Sequence, residues 1–115
     1  MTIKPILPSL REKKRYIVYE ILSEKKMKFN EVKESINKAV LGFLGELGYS
    51  KSGLIILDMF KNNKGVLKTN HKEVDNIKTS LALIDNIDNN KVIFKSILVT
   101  GVINKAKRLI WKQYY

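Results

Sequence analysis

The sequence contains no cysteine and a single histidine, His71. The missing cysteines exclude disulfide bonds and thiolate metal ligands, and one histidine cannot form a histidine-based metal cluster. His71 directly precedes a predicted helix, where a surface or capping role is expected, while Asp85 and Asp88 suit a predicted turn. No grouping of serine, histidine and carboxylate presents itself. We therefore predict no catalytic residue and no metal or other cofactor in this chain.

Long apolar runs are also missing. The longest ones are far shorter than the ~20 residues that span a bilayer, and the N-terminal segment MTIKPILPSL lacks the apolar core of a signal peptide. We therefore expect a cytoplasmic protein without a membrane partner. The two prolines, Pro5 and Pro8, prevent regular helix in this segment, so residues 1–10 are predicted to form an extended arm and residues 11–115 a single domain.

Positive charge is what the sequence has in excess. The 22 Lys and Arg residues oppose 11 Asp and Glu residues, which gives a formal net charge of +11 and favours a polyanionic partner. From residue 89 to the end there are six bases and no acid. The bases concentrate in two clusters: Arg11, Lys13, Lys14 and Arg15, and then Lys105, Lys107, Arg108 and Lys112.

Both clusters fit the requirements of a folded RNA. Its phosphates are held by ammonium groups and forked guanidinium donors on a rigid surface, and an A-form helix is recognised chiefly by shape and backbone. We therefore predict that these eight residues bind RNA. The alternative explanation is a solvated face or, for the second cluster, cations that favour the C-terminal end of a helix.

Residue types and spacing predict seven elements. Residues 15–22 are rich in β-branched and aromatic side chains, typical of a strand. A helix follows, with Asn30 as its N-cap and Gly48 as its end, and Gly42 and Gly45 inside it suggest close packing of another backbone. Its apolar stripe consists of Val32, Ile36, Ala39, Val40, Phe43, Leu44 and Leu47.

The second half of the sequence adds two strands, a helix, a strand and a final helix. Residues 54–60 and 65–69 are predicted to form a hairpin, because Asn62 and Asn63 in its loop tolerate positive φ. Asp88–Asn90 should form a turn before the strand in residues 91–103, and Asn104 should cap the final helix. The buried stripe of the middle helix is predicted to be Val74, Ile77, Leu81 and Ile84.

The order of these elements predicts an α+β fold, a ferredoxin-like βαββαβ sandwich with a four-stranded antiparallel sheet and an extra C-terminal helix. The first and last strands are apolar on both faces. In the last strand, Val92, Phe94, Leu98 and Val102 are expected to face one way, and Ile93, Ile97, Val99 and Ile103 the other. The second face of the sheet therefore needs a cover, from the final helix, a protein partner, or both.

The fold alone does not identify the function. Ferredoxin-like phosphate-ester hydrolases need a glycine-rich cradle after the first strand, but residues 23–29 contain no glycine. RNA-recognition motifs stack bases on sheet aromatics, and residues 65–69 contain none. A basic DNA-binding or ribosome-associated protein remains the main alternative to an RNA-binding subunit, and a hydrolase is less favoured.

Four blocks of the sequence resemble archaeal ribonuclease P protein component 2, the Pop-type family with relatives in eukaryotic ribonuclease P and ribonuclease MRP. The blocks are LPSLREKKRYIVYEI (residues 7–21), LGELG (44–48), SLALIDNID (80–88) and VIFKSILVTGVINKAK (92–107). They occur in the expected order over nearly the whole chain. The family often has a Ser-Gly-Thr turn where this chain has Thr100, Gly101 and Val102, so a hydroxyl is lost at Val102.

The resemblance implies an RNA-binding subunit of ribonuclease P, the endoribonuclease that removes the 5′ leader from precursor tRNA. In that enzyme the RNA performs most of the chemistry with magnesium, so the metal is expected on the RNA and not in this chain. The implied partners are ribonuclease P RNA, precursor tRNA within the complex, and a TIM-barrel-like protein subunit, component 3. Self-association is also expected if one sheet face stays uncovered.

Overall fold

A four-stranded antiparallel sheet forms the centre of the structure, a computed structural model that describes residues 13–111. The strands are β1 (Lys14–Leu22), β2 (Ile55–Lys61), β3 (Lys64–Asn70) and β6 (Ile93–Thr100), in the spatial order β2-β3-β1-β6. The helices are α1 (Phe29–Ser52), α2 (Val74–Ala82) and α3 (Ile103–Trp111). Two short strands, β4 (Asn86–Ile87) and β5 (Asn90–Lys91), form a separate hairpin. The predicted ferredoxin-like fold with a C-terminal helix is confirmed.

Strand β1 is paired on both sides and buried on both faces. Ile17 and Tyr19 point into a core that α1 and α2 cover. On the other face, Val18 packs against Ala106 and Ile110 of α3. The second cover that the two-faced strand requires is therefore supplied by α3 itself. Within residues 13–111, no helix is both long enough and apolar enough to cross a membrane.

Helix α1 departs from its prediction at both ends and in the middle. It begins at Phe29 rather than after Asn30, and it ends at Ser52, before a left-handed Gly53, rather than at Gly48. Gly45 has a non-helical φ of 76° and ψ of 173°, which interrupts the helix. Because of this interruption, the residues after Gly45 do not continue the predicted apolar stripe of the helix.

The predicted apolar stripe is consequently wrong at its C-terminal end. The side chains of Phe43 and Leu47 are 46% and 70% exposed, although Leu44 between them packs against the core. A Cβ added to Gly42 or Gly45 would meet no atom within 4 Å, so the predicted close approach of another backbone is also wrong. At position 45, glycine instead allows the positive φ that interrupts the helix.

The hairpin between β2 and β3 confirms its prediction. Its two loop residues, Asn62 and Asn63, have φ of 53° and 59°, the left-handed values that Asn tolerates best among non-glycine residues. Asn63 also anchors the connection between β1 and α1. Its side-chain oxygen accepts a hydrogen bond from the Met27 amide at 2.9 Å, and its carbonyl accepts one from the Ile21 amide at 2.8 Å.

A β-bulge in β6 corrects the predicted faces of that strand. Val18 pairs with Leu98 and Tyr19 with Ser96, so Ile97 is the extra residue. One inserted residue reverses the alternation of side chains. Phe94 therefore packs under α1 and α2 while Leu98 packs against α3, and the prediction that both share one face is wrong.

The region around α2 follows its prediction closely. Ile77, Leu81 and Ile84 are buried, although the helix ends at Ala82, two residues before Ile84. Asp88 and Asn89 form the predicted turn, with φ of 51° and 65°. This turn joins β4 to β5.

Tyr19 is fully buried beside Gly65, its partner in the β1–β3 ladder. A Cβ on Gly65 would overlap the Tyr19 ring, so the glycine makes room for it. The Tyr19 hydroxyl has no hydrogen-bond partner among the described residues, and burial raises the pKa of this group. A buried hydroxyl without a partner destabilises the folded state.

Removing this hydroxyl should therefore stabilise the protein. We expect Tyr19→Phe to raise the free energy of unfolding by about 1 kcal/mol, measured by urea denaturation. Tyr49→Phe is the matched control, because the Tyr49 hydroxyl donates a 2.7 Å hydrogen bond to Asn37, and its loss should cost about 1 kcal/mol. Equal destabilisation by the two substitutions would show that the Tyr19 hydroxyl has a stabilising partner.

Candidate nucleic-acid interface

Antiparallel pairing gathers several chain segments at one end of the sheet. Lys14 at the start of β1 lies opposite Asn70 at the end of β3, and Tyr16 lies opposite Thr100 at the end of β6. Since α3 begins three residues after Thr100, its start also lies at this end. We call this region the basic end, defined by Lys13, Lys14 and Arg15 together with Lys105, Lys107 and Arg108.

The first cluster is attached to the sheet through its backbone and side chains. The carbonyl of Lys13 accepts a hydrogen bond from the His71 amide at 2.7 Å, and the Lys14 ammonium donates to the side-chain oxygen of Asn70. The Arg15 guanidinium donates to the Lys14 carbonyl at 2.9 Å. It also lies beside Gly101, where an added Cβ would be 3.3 Å from its Nη1 atom. Arg15 thus lies beside the turn that precedes the second cluster.

The second cluster lies on the exposed side of α3. Ala106 and Ile110 face the sheet, whereas Lys105, Lys107 and Arg108 are exposed. Lys105 and Arg108 are three residues apart and share one side of the helix. Lys107 lies on the opposite flank, so the structure does not place all three cations in one row.

The helix dipole does not account for the α3 lysines. Lys105 lies in the first turn, near the positive end of the dipole, where a cation is unfavourable. Only Arg108 lies in the last turn, where a cation is favourable. The position of Lys105 therefore lowers helix stability. We expect its charge to serve binding instead.

Within residues 13–111, no carboxylate neutralises these cations. Among the described residues, none of the six that define the basic end forms an ion pair with Asp or Glu within 4.0 Å.

Arg11, Lys112 and the predicted N-terminal arm lie outside the described residues, so the predictions about them stay predictions. The Nδ1 atom of His71 lies 3.3 Å from the Lys13 carbonyl. Over residues 13–111, no group of three or more His, Cys, Asp or Glu side chains is positioned to hold a metal ion.

Two further lysines near the basic end were missed by the sequence analysis. Lys51 comes from the last turn of α1, and Lys72 from the turn that follows β3. Each is isolated in the sequence, so charge clustering along the chain could not identify it. The pairing of β1 with β3 brings Lys72 near Lys14, and the hydrogen bond from the Asn70 side chain to the Lys51 carbonyl holds the end of α1 beside them.

A model of the Rpp14/Pop5 family matches residues 15–111 of this sequence. The chain belongs to the Rpp14/Pop5 family. Ribonuclease P protein component 2 of Pyrococcus furiosus is 35% identical over 112 residues, covering 96% of this chain and 93% of the relative. The corresponding protein of Methanocaldococcus jannaschii is 39% identical over 107 residues, covering 91% and 78%.

The fold is also found in a solved structure. One chain of a cryo-EM structure of yeast ribonuclease MRP matches 81% of this chain and 77% of its own length, with a TM-score of 0.65. At 13% identity this likeness concerns the fold. The Rpp14/Pop5 assignment thus agrees with the sheet topology and with the resemblance in the sequence.

The turn before α3 places Val102, which has no side-chain hydroxyl, at the start of the helix. The Thr100 hydroxyl accepts a hydrogen bond from the Val102 amide at 3.1 Å, and the Val102 carbonyl accepts one from the Lys105 amide at 3.1 Å. Since α3 begins at Ile103, Val102 occupies the N-cap position and the predicted cap, Asn104, lies inside the helix. Valine has no side-chain acceptor for the free amides of the first turn.

Restoring a hydroxyl at this position should stabilise the helix. We expect Val102→Thr to raise the free energy of unfolding by about 1 kcal/mol in urea denaturation, because threonine is a much better N-cap than valine. Val102→Ala, which supplies no acceptor, is the control and should give no such gain. A threonine variant no more stable than the alanine variant would contradict the assignment of Val102 as the N-cap.

Proposed function

We propose that this chain is an RNA-binding subunit of ribonuclease P that supports the catalytic RNA in removing the 5′ leader from precursor tRNA. The observation that carries the proposal is the basic end, where two cationic segments distant in the sequence lie at one end of the sheet and no carboxylate among residues 13–111 pairs with them. Family membership supports it, because the archaeal relatives bear the name of a ribonuclease P protein component.

The basic end suits the backbone of a folded RNA. Exposed ammonium groups such as those of Lys13 and Lys105 can each neutralise a phosphate and release its condensed counterions. The Arg15 guanidinium is preorganised by its bond to the Lys14 carbonyl, so less conformational freedom is lost when it binds. Contacts of this kind fix position and orientation on RNA without reading its sequence.

The chemistry of cleavage is assigned to the RNA in this proposal. Magnesium would be carried by the RNA subunit, and this chain would contribute binding and positioning only. The holoenzyme would be an endoribonuclease that acts on precursor tRNA in the cytoplasm. In that assembly the RNA faces the basic end, and precursor tRNA is bound within the complex.

A protein partner is proposed for other surfaces. Phe43 and Leu47 on α1 and Leu83 after α2 are large apolar side chains exposed by 46%, 70% and 61%. These residues suit contact with the TIM-barrel-like ribonuclease P subunit, component 3, or with a second copy of this chain. Phe43 and Leu83 line one pocket that includes no residue of the basic end, so protein and RNA could bind together.

The basic end can be tested through the salt dependence of RNA binding. We expect the triple variant Arg15→Ala, Lys105→Ala, Arg108→Ala to reduce the log–log salt slope for cognate ribonuclease P RNA by about two to three units, because each lost phosphate contact removes ~0.7–0.9 unit. Affinity is measured by filter binding over a range of KCl concentrations. Circular dichroism checks that the variant is folded.

A matched control removes three exposed lysines from the opposite end: Lys26→Ala, Lys33→Ala and Lys91→Ala. This control should leave most of the slope intact. If both triple variants lose equal slope, binding depends on net charge alone and the basic end is not the interface. Equal affinity for duplex DNA would favour the DNA-binding alternative, and cleavage of precursor tRNA by the purified chain without RNA would favour the hydrolase.

A further inference from the structure

A pocket of about 550 Å³ opens beside Lys14, between the end of α1 and the start of α2. Three lysines from three different segments line it: Lys14, Lys51 and Lys72. The remaining wall includes Ser50 and Asn70. None of these residues except Lys14 belongs to the two predicted clusters.

The floor of the pocket is rigid. Asn70 is only 4% exposed, and its side-chain amide donates to the Lys51 carbonyl at 2.7 Å while its oxygen accepts from the Lys14 ammonium. Gly53 approaches so closely that an added Cβ would lie 2.9 Å from the Asn70 oxygen. The left-handed φ of 63° at Gly53 allows this approach. The Lys14 ammonium has three donors, so its bond to Asn70 leaves two for a ligand.

The pocket carries an excess of positive charge. Among the described residues, its one carboxylate is that of Glu73, which accepts a 2.9 Å hydrogen bond from Asn76. Within the described part of the chain, neither Lys51 nor Lys72 forms an ion pair. Lys51 lies in the last turn of α1, where the helix dipole favours a cation, but Lys72 precedes α2, where it does not. The helix dipole therefore does not explain why a lysine stands at position 72.

We propose that this pocket binds one phosphate group of an RNA backbone, with Lys14, Lys51 and Lys72 donating to its non-bridging oxygens. The inference rests on the proposed function and extends it, because it adds the end of α1 and the start of α2 to the RNA surface. The pocket volume of about 550 Å³ is within the range of sites that hold small organic ligands, so it has room for a phosphate group. Lys14 is shared with the basic end, which makes the two surfaces continuous.

The double variant Lys51→Ala, Lys72→Ala tests the inference. Its log–log salt slope for cognate ribonuclease P RNA should fall by about 1.4 to 1.8 units, the value for two lost phosphate contacts. The variant Lys51→Arg, Lys72→Arg keeps the charge and should keep the slope. The matched control Lys26→Ala, Lys33→Ala removes two exposed lysines from the opposite end and should change the slope by less than half a unit.

A slope unchanged in the double alanine variant would overturn the pocket assignment. If the triple variant of Arg15, Lys105 and Arg108 still loses slope in that case, the proposed function stands and only the pocket fails. If neither variant loses slope, both fail together. Loss of the same slope in the Lys26 and Lys33 control would also overturn the assignment.

A second measurement uses the wild-type chain and does not depend on a variant folding. The side-chain amide of Asn70 should shift in ¹⁵N NMR spectra when ribonuclease P RNA is added, since its partner Lys14 contacts the phosphate. Inorganic phosphate at the same phosphate concentration should shift it much less. A response to inorganic phosphate without a response to RNA would identify a site for a free anion and contradict the inference.

Discussion

The burial of β1 on both faces is the constraint on which the rest of the structure depends. A strand with Ile17 and Tyr19 on one side and Val18 on the other has to lie inside a sheet, with a cover above and below. Helix α3 provides the second cover, so the chain turns back directly after Thr100. That turn places the start of α3, with Lys105, beside the cationic start of β1. Apolar packing thus determines where the positive charges meet.

Much of this arrangement could be predicted from the sequence because the relevant signals are local. The order of strands and helices, the Asn62–Asn63 turn and the two cationic clusters all follow from short segments. The break at Gly45 could not be predicted, since a glycine costs a helix only ~1 kcal/mol and the apolar spacing in the sequence runs past it to Leu47. The bulge at Ile97 has no sequence signal, because any residue can occupy it. Lys51 and Lys72 could not be predicted as neighbours, because only the tertiary fold brings the end of α1 and the turn after β3 together.

The two kinds of exposed surface, one cationic and one apolar, suggest two different binding partners within a ribonucleoprotein. The basic end carries cations that no described carboxylate neutralises, which is costly unless a polyanion binds there. Exposed apolar residues such as Leu47 and Leu83 lie on the helical layer instead. The proposed function would give both surfaces a common explanation, with RNA bound at the basic end and protein at the apolar residues.

The central claim is that one end of the sheet faces the RNA, and site-specific photocrosslinking tests it most directly. A photoreactive p-benzoylphenylalanine is introduced either at Asn104, exposed in the first turn of α3, or at Glu24, exposed in the loop after β1. Neither substitution removes a cation. In complexes assembled with cognate ribonuclease P RNA, the account predicts a strong crosslink to RNA from position 104 and a weak one from position 24. A stronger crosslink from position 24 would contradict it.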